Sequence, residues 1–130
     1  MTNKPTYVDG HNLLDGKTVL VTAAAGTGIG FATAVRCAEE GASGLVISDV
    51  HERRLGEAAD KIKAETGVRP DTVLCNVTME DQVQAMFDFA IEKMGHVDVV
   101  MNNAGLGGYA KLVDMTDEQW RLVLDVTLNG

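Results

Sequence analysis

Residues 17–41, KTVLVTAAAGTGIGFATAVRCAEEG, constrain the fold more than any other stretch. Val19-Leu20-Val21 is a short apolar run rich in β-branched residues, followed by small residues and by Gly26, Gly28 and Gly30. Beyond Gly30 the period changes: Phe31, Val35 and Ala38 fall on one helical face, and Gly41 ends the pattern. A buried strand that passes through a Gly-rich turn into a helix brings backbone close to whatever lies above the turn. The first N–H groups of a helix have no partner within it and carry partial positive charge, so the natural occupant is a phosphate or pyrophosphate. Glycine alone also reads as an ordinary tight turn of an α/β protein, so further anchors are needed.

The rest of the chain alternates strand and helix signals. The first strand is expected at about 17–22 and its helix at about 28–40. Gly44–Asp49 reads as a second strand, nearly all apolar and ending in an acid. Leu55, Ala58, Ala59 and Ile62 then line one face of a charged helix that Gly67 caps and Pro70 follows. Asp71–Cys75 is the third strand. Thr78 starts the next helix, with Glu80 and Asp81 in its first turn and Val83, Met86, Phe87, Ala90, Ile91 and Met94 on one face, up to Gly95. Val97–Met101 is the fourth strand, running into Asn102-Asn103-Ala104-Gly105. After a Gly-rich loop, Thr116 with Gln119 forms a capping box, and Trp120, Val123, Leu124 and Thr127 give the next helical face. Residues 1–16 show no period; turns are expected near Asp9-Gly10 and Asp15-Gly16, with Leu13 and Leu14 tucked under the first strand and His11 on the surface.

The order β-α-β-α-β-α-β-loop-α predicts an α/β fold: a doubly wound parallel sheet covered on both sides. Right-handed crossovers favour the spatial order 3-2-1-4, with the Gly-rich turn at the carboxyl end of strand 1. Abundant Gly, Ala and Val and few aromatics suit such a core. The 130 residues are read as part of one domain, with no linker or repeat.

Asp49 is the second anchor, 21 residues after Gly28 at the end of the second strand. In a dinucleotide fold that position faces the adenosine ribose, where a carboxylate accepts from the hydroxyls and repels the extra phosphate of NADP. NAD is therefore expected over NADP. Arg53 and Arg54 argue the other way, but Asp49 lies nearer the strand end and Val50 follows it.

A formal charge of −8 without a basic run gives no nucleic-acid surface. No long apolar segment or basic leader is present, so a cytoplasmic protein with no membrane partner is expected. Cys37 and Cys75 read as reduced packing residues, and no spacing suggests a metal. The absence of G-K-[ST] disfavours a P-loop nucleotidase.

These residues resemble a family, the short-chain dehydrogenases/reductases. Thr22-Ala23-Ala24-Ala25-Gly26-Thr27-Gly28-Ile29-Gly30 is similar to its T-G-x-x-x-G-I-G turn. Asn76-Val77 resembles its D/N-V pair beside the adenine, Asn102–Gly105 its N-N-A-G motif, and Asp125–Gly130 its V-N-L-x-G segment. The resemblance covers the chain from about Leu14 onward.

It implies a Rossmann-type fold and hydride transfer between NAD(H) and a secondary alcohol or ketone. The cofactor-binding set is Thr22, Ala24, Gly26, Thr27, Gly28, Ile29, Gly30, Asp49, Asn76, Val77, Asn103, Ala104 and Gly105. It also implies a small-molecule substrate and, at full length, a homo-oligomer. The wording of the turn resembles actinobacterial members linked to sterol-ring or acyl-CoA breakdown.

Three departures matter. Five residues separate Thr22 from Gly28 where four are usual, and Ala23 replaces a glycine, so a wider turn is expected. Thr127 stands at the usual catalytic Asn position, where its hydroxyl is expected to bond its own helix; Asn129 faces another side. The family's Tyr-x-x-x-Lys pair has no match: Tyr109 has lysine at +2, and Tyr7 has none at +4. The stretch is thus expected to be the cofactor-binding half of a longer chain, inactive alone. The alternatives are a non-catalytic nucleotide-binding or interaction module, and a methyltransferase, which Asn102–Gly105 disfavours. The loop 106–115 is expected to border an apolar substrate.

Overall fold

The computed structural model describes residues 5–107 and 110–130. The elements are β1 (Thr18–Val21), α1 (Ile29–Glu39), β2 (Gly44–Asp49), α2 (Glu52–Thr66), β3 (Asp71–Leu74), α3 (Glu80–Met94), β4 (Val99–Met101), a 3-10 turn (Leu112–Asp114) and α4 (Asp117–Leu124), which continues into a π-helical turn (Asp125–Asn129). The four strands form one parallel sheet in the order β3-β2-β1-β4, as the alternation of elements predicts. Leu20 of β1 pairs with Val46 of β2 on one side and Val100 of β4 on the other.

Strand periodicity divides the core between the two faces of the sheet. Val19, Val21 and Ile47 pack with Phe31, Ala34 and Ala38 of α1 and Leu55, Ala59 and Ile62 of α2. Leu20 and Val46 point the other way, onto Met86 and Ala90 of α3. β1 is completely enclosed along Val19-Leu20-Val21. Burying each of these side chains contributes about 1.5–3 kcal/mol, which explains why the run contains no polar residue.

Helix ends follow local chemistry. Gly67 lies at φ 81° and donates its N–H to Lys63 O; Gly95, at φ 80°, does the same to Ile91 O. Thr116 caps α4 with a complete capping box through Gln119.

Several boundaries and faces differ from expectation. α3 starts at Glu80 with Met79 at its N-cap, because Thr78 is occupied: its N–H and hydroxyl both donate to Asn76 Oδ1 in a local turn. β3 stops at Leu74 and β4 begins at Val99. Cys75 and Asp98 remain tied to the sheet by N–H bonds to Asp49 O and Thr18 O. No turn forms at Asp9-Gly10; that segment lies against the end of α1, with Arg36 donating to Val8 O and Gly10 beside Glu39 O. Leu14 joins the core but Leu13 is exposed. Ala34 replaces the half-buried Val35 in the sealed part of α1's face, and Ile91 of α3 is half exposed. α4 buries no residue, and Trp120 is half exposed.

Candidate functional site

The carboxyl ends of β1, β2, β3 and β4 open onto one cleft of about 340 Å³. Its walls come from the Gly-rich turn (Ala23, Ala25), the end of β2 (Asp49, Val50, His51), the end of β3 (Cys75, Asn76, Val77) and the end of β4 (Ala104, Gly105, Leu106), with Val126 closing one side. The cleft lies where the chain leaves β1 toward β2 on one side and β4 on the other, the switch point at which open α/β sheets bind ligands.

Thr22 is the hub that joins the turn to β4. Its buried hydroxyl accepts from Asn103 N at 2.9 Å and Ala104 N at 3.1 Å, and donates to Met101 O at 3.3 Å. One hydrogen and two lone pairs are thereby all used. Asn103 returns the link: its side-chain amide donates to Thr22 O at 3.0 Å and Ala23 O at 3.2 Å. α1 must approach this junction closely. A Cβ on Gly30 would stand 2.5 Å from Asn103 Nδ2 and 2.6 Å from Ala23 O, so only glycine fits.

The turn takes up its length with Ala23 at φ 51°, a left-handed conformation normally left to glycine, and Gly26 at φ 121°. Ala24 turns inward; its methyl is fully buried and its N–H donates to Ser48 O. Above the turn the surface is open. Nothing lies within 4 Å of where a Cβ on Gly26 or Gly28 would stand. Gly28 caps α1 without a side-chain bond, and the first helical bond is Ala32 N to Gly28 O. The N–H groups of Ile29, Gly30 and Phe31 therefore lack a helical partner, the arrangement that accepts an anion.

Asp49 is 9% exposed and is held from two directions. Oδ2 accepts from Ala25 N at 3.1 Å, and Oδ1 accepts from His51 N at 3.1 Å. The carboxylate thus pins the Gly-rich turn to the start of α2, with a lone pair on each oxygen still available to the cleft. Asn76 is fixed by Gln82 Oε1, which accepts its N–H at 2.9 Å, and by the donors of Thr78.

Of the sequence-derived residues, Asp49, Asn76, Val77, Ala104 and Gly105 line the cleft, while Thr22 and Asn103 build its floor from behind. Gly26, Thr27, Gly28 and Gly30 form the turn and helix start above it. Ala24 faces the core, and the exposed Ile29 borders a separate groove with Leu14 and Cys37. Ala23, Ala25, Val50, His51 and Val126 were not legible as lining residues, whereas Leu106 opens the loop expected to border the substrate. Closeness in sequence to Asp49 is the one signal that could have marked Val50 and His51. Tyr109 lies outside the described residues.

Thr127 does not bond its own helix, as the sequence leads one to expect. Its hydroxyl accepts from Leu106 N at 3.1 Å and donates to Leu106 O at 3.4 Å. Asn129 is engaged with Asp125 Oδ1. Tyr7 donates to Glu39 at the far end of α1, away from the cleft. Burial pushes the thiols of Cys37 and Cys75 up, and both are free. Among the described residues no three His, Cys, Asp or Glu side chains are grouped to hold a metal, and no helix is long and apolar enough to cross a membrane.

The sequence family described as short chain dehydrogenase matches residues 17–130. A curated relative, the (5R,7aS)-5-hydroxy-7a-methyl-1-oxo-2,3,5,6,7,7a-hexahydro-1H-indene-carboxyl-CoA reductase of Mycobacterium tuberculosis, is 56% identical over 126 residues, covering 97% of this chain and 48% of the relative. A 3beta-hydroxysteroid dehydrogenase of Mediterraneibacter gnavus is 40% identical over 117 residues, 89% of this chain and 41% of that one. The crystal structure of a short chain dehydrogenase from Mycobacterium smegmatis superposes with a TM-score of 0.89 at 56% identity, covering 96% of this chain and 52% of the other. The chain spans about half the length of the curated relatives it matches. With its strand order, its Gly-rich turn and the cleft above them, this chain belongs to the short-chain dehydrogenase family.

Proposed function

We propose that this chain binds NAD(H) and forms the cofactor-binding part of an oxidoreductase that interconverts a secondary alcohol and a ketone. One observation carries the reading: a single cleft joins Ala23 and Ala25 of the Gly-rich turn, which leads into the uncapped start of α1, to the doubly held carboxylate of Asp49 and to the Ala104–Leu106 wall. The residues fit a dinucleotide. Unpartnered N–H groups and side-chain-free glycines suit a pyrophosphate, and Asp49 suits a ribose diol.

When bound, the nicotinamide supplies the site that gives or accepts hydride. The chain's own residues bind and orient. The start of α1 would neutralise phosphate charge, Asp49 would accept from the ribose hydroxyls, and Asn76 and Val77 would hold the adenine end. Thr22 and Asn103 hold the β4 end in register with the turn. No Tyr-x-x-x-Lys occurs in the sequence, so this stretch positions the cofactor without supplying that acid/base pair.

The names of the relatives, a bicyclic-ring acyl-CoA reductase and a hydroxysteroid dehydrogenase, support a fused alicyclic ketone or alcohol as the substrate class. Calorimetric titration with NADH and NADPH tests the cofactor. NADH is expected to bind at least about tenfold more tightly, the worth of one hydrogen bond to a charged group. Equal or tighter NADPH binding would remove the role given to Asp49, and failure of both to bind would remove nucleotide binding itself.

A further inference from the structure

β4 ends at Met101, so the six residues that follow, up to Gly107, have no strand partner to fix their backbone. The first of them are held by Thr22, through Asn103 N and Ala104 N. Further out the support changes. Leu106 is held from the other end of the chain by Thr127, which both accepts its N–H and donates to its carbonyl. A hydroxyl has the one donor and two acceptor sites this reciprocal pairing needs.

The position of Thr127 in the fold makes the pairing informative. A helical threonine usually spends its hydroxyl on a carbonyl one turn back in its own helix. Here the helix widens into the π-turn Asp125–Asn129, and the hydroxyl serves a segment 21 residues away. Such widened turns recur at functional positions. Neighbouring Val126 lines the cleft itself, and the side chain of Thr127 stands 3.8 Å from where a Cβ on Gly105 would be, an ordinary contact.

Leu106 also lies between two cavities. It walls the dinucleotide cleft, and on its other side it walls a separate apolar pocket of about 270 Å³ bounded by Met115, Leu122 and Val123. Whatever fixes the backbone of Leu106 sets the partition between the two spaces.

We propose that Thr127 is a positioning residue: its hydroxyl clamps Leu106 and so sets the wall at the β4 end of the cofactor cleft. The clamp itself is a statement about structure; its effect on cofactor binding rests on the function proposed above.

The test compares the wild-type chain with Thr127→Val, which keeps the shape and loses the hydroxyl, and Thr127→Ser, which keeps the hydroxyl. Two readouts are used: amide hydrogen exchange at Leu106 by NMR, and NADH titration. In Thr127→Val, Leu106 exchange is expected to accelerate by about tenfold and NADH affinity to fall by about fivefold to tenfold. Thr127→Ser should stay within about threefold of wild type in both. Fast exchange of Leu106 in the wild-type chain overturns the clamp, as does equal protection in all three forms. Equal NADH affinity in all three overturns its role in the cofactor site, and so does a Thr127→Ser variant as weak as Thr127→Val. If NADH binds to no form, the proposed function and the cofactor role fall together, and the Leu106 exchange rates still decide the clamp. Should Thr127→Val fail to fold, the wild-type and Thr127→Ser exchange rates decide it.

Discussion

Ala23 sits at φ 51° in a turn whose other positive-φ residue is a glycine, Gly26. A left-handed conformation costs an L-residue about 1–2 kcal/mol, against roughly 0.5–1 kcal/mol for the extra chain freedom a glycine gives up. Ala23→Gly is therefore expected to raise the melting temperature by about 2–4 °C. An unchanged or lower value by calorimetry would show that the turn is not strained there. Gly30 is the opposite case. Gly30→Ala would drive a methyl into Asn103 and the Ala23 carbonyl, and overpacking of this kind costs about 1–3 kcal/mol. Chemical denaturation should show that loss, and NADH affinity should fall with it, because the same atoms hold the turn to β4. A Gly30→Ala protein as stable as wild type would contradict the close approach. At Asp49 the two held oxygens give a further expectation. Asp49→Asn replaces one acceptor with a donor aimed at a backbone N–H, so NADH should bind about tenfold or more weakly. NADPH should lose less, since the repelling charge has gone; a NADPH loss as large as that of NADH would mean that Asp49 acts only on the turn.

The N-terminal arm and α1 form a unit of their own. The side chain of Glu40, just beyond α1, accepts from His11 N at 2.8 Å and Leu13 N at 3.1 Å and pairs with Arg36. The N–H bonds from Leu13 and His11, helped by Arg36, hold its carboxyl below the usual range, although burial opposes them. A carboxyl with a lower pKa in the folded chain contributes stability above its unfolded value and loses it as pH falls through the folded one. Asp98 behaves alike: the Thr18 N–H is the main cause of its lowered value, and it ties the amino end of β1 to β4. Melting temperature should accordingly fall with acid below about pH 4, and the fall should be shallower in Glu40→Gln, which has no such proton to take up. Parallel slopes for the two proteins between pH 3 and 5 (a range of about one unit either side of the ordinary carboxyl value) would dissociate Glu40 from acid stability.

At the scale of the molecule, α1 and α2 cover one face of the sheet and α3 packs on the other. Leu20 is completely buried at its centre, between Val46 and Val100, and Leu20→Ala should cost about 2–5 kcal/mol, a large share of the 5–15 kcal/mol typical of a domain. On the outer side of β4 the described residues provide no further strand, and Val99 and Val100 remain more than a third exposed. Trp120 and Leu122 of α4 are about half exposed as well. A parallel edge with apolar side chains seeks a partner. Concentration-dependent association is expected in sedimentation experiments, and Val100→Lys should reduce it by placing a charge on the edge. Monomeric behaviour at high concentration would show that the edge is protected.

The alternation of apolar runs with 3.6-period faces was sufficient to predict four strands, their helices and the order 3-2-1-4, because burial on both faces of a parallel sheet and right-handed crossovers leave few arrangements. The Gly-rich turn and Asp49 were legible for the same reason, since they stand at strand ends, where the topology must gather them, while Asn76-Val77 was legible only through the family resemblance. Tertiary structure alone decided what each does there. Ala24 turns inward because Ser48 O takes its N–H, and Met79 rather than Thr78 caps α3 because Asn76 holds Thr78. Thr127 reaches Leu106 across 21 residues because a π-turn rotates its hydroxyl out of its own helix. Periodicity encodes which face a side chain shares, but a hydrogen bond depends on distances of a few tenths of an ångström between segments remote in sequence, and no local pattern carries that information.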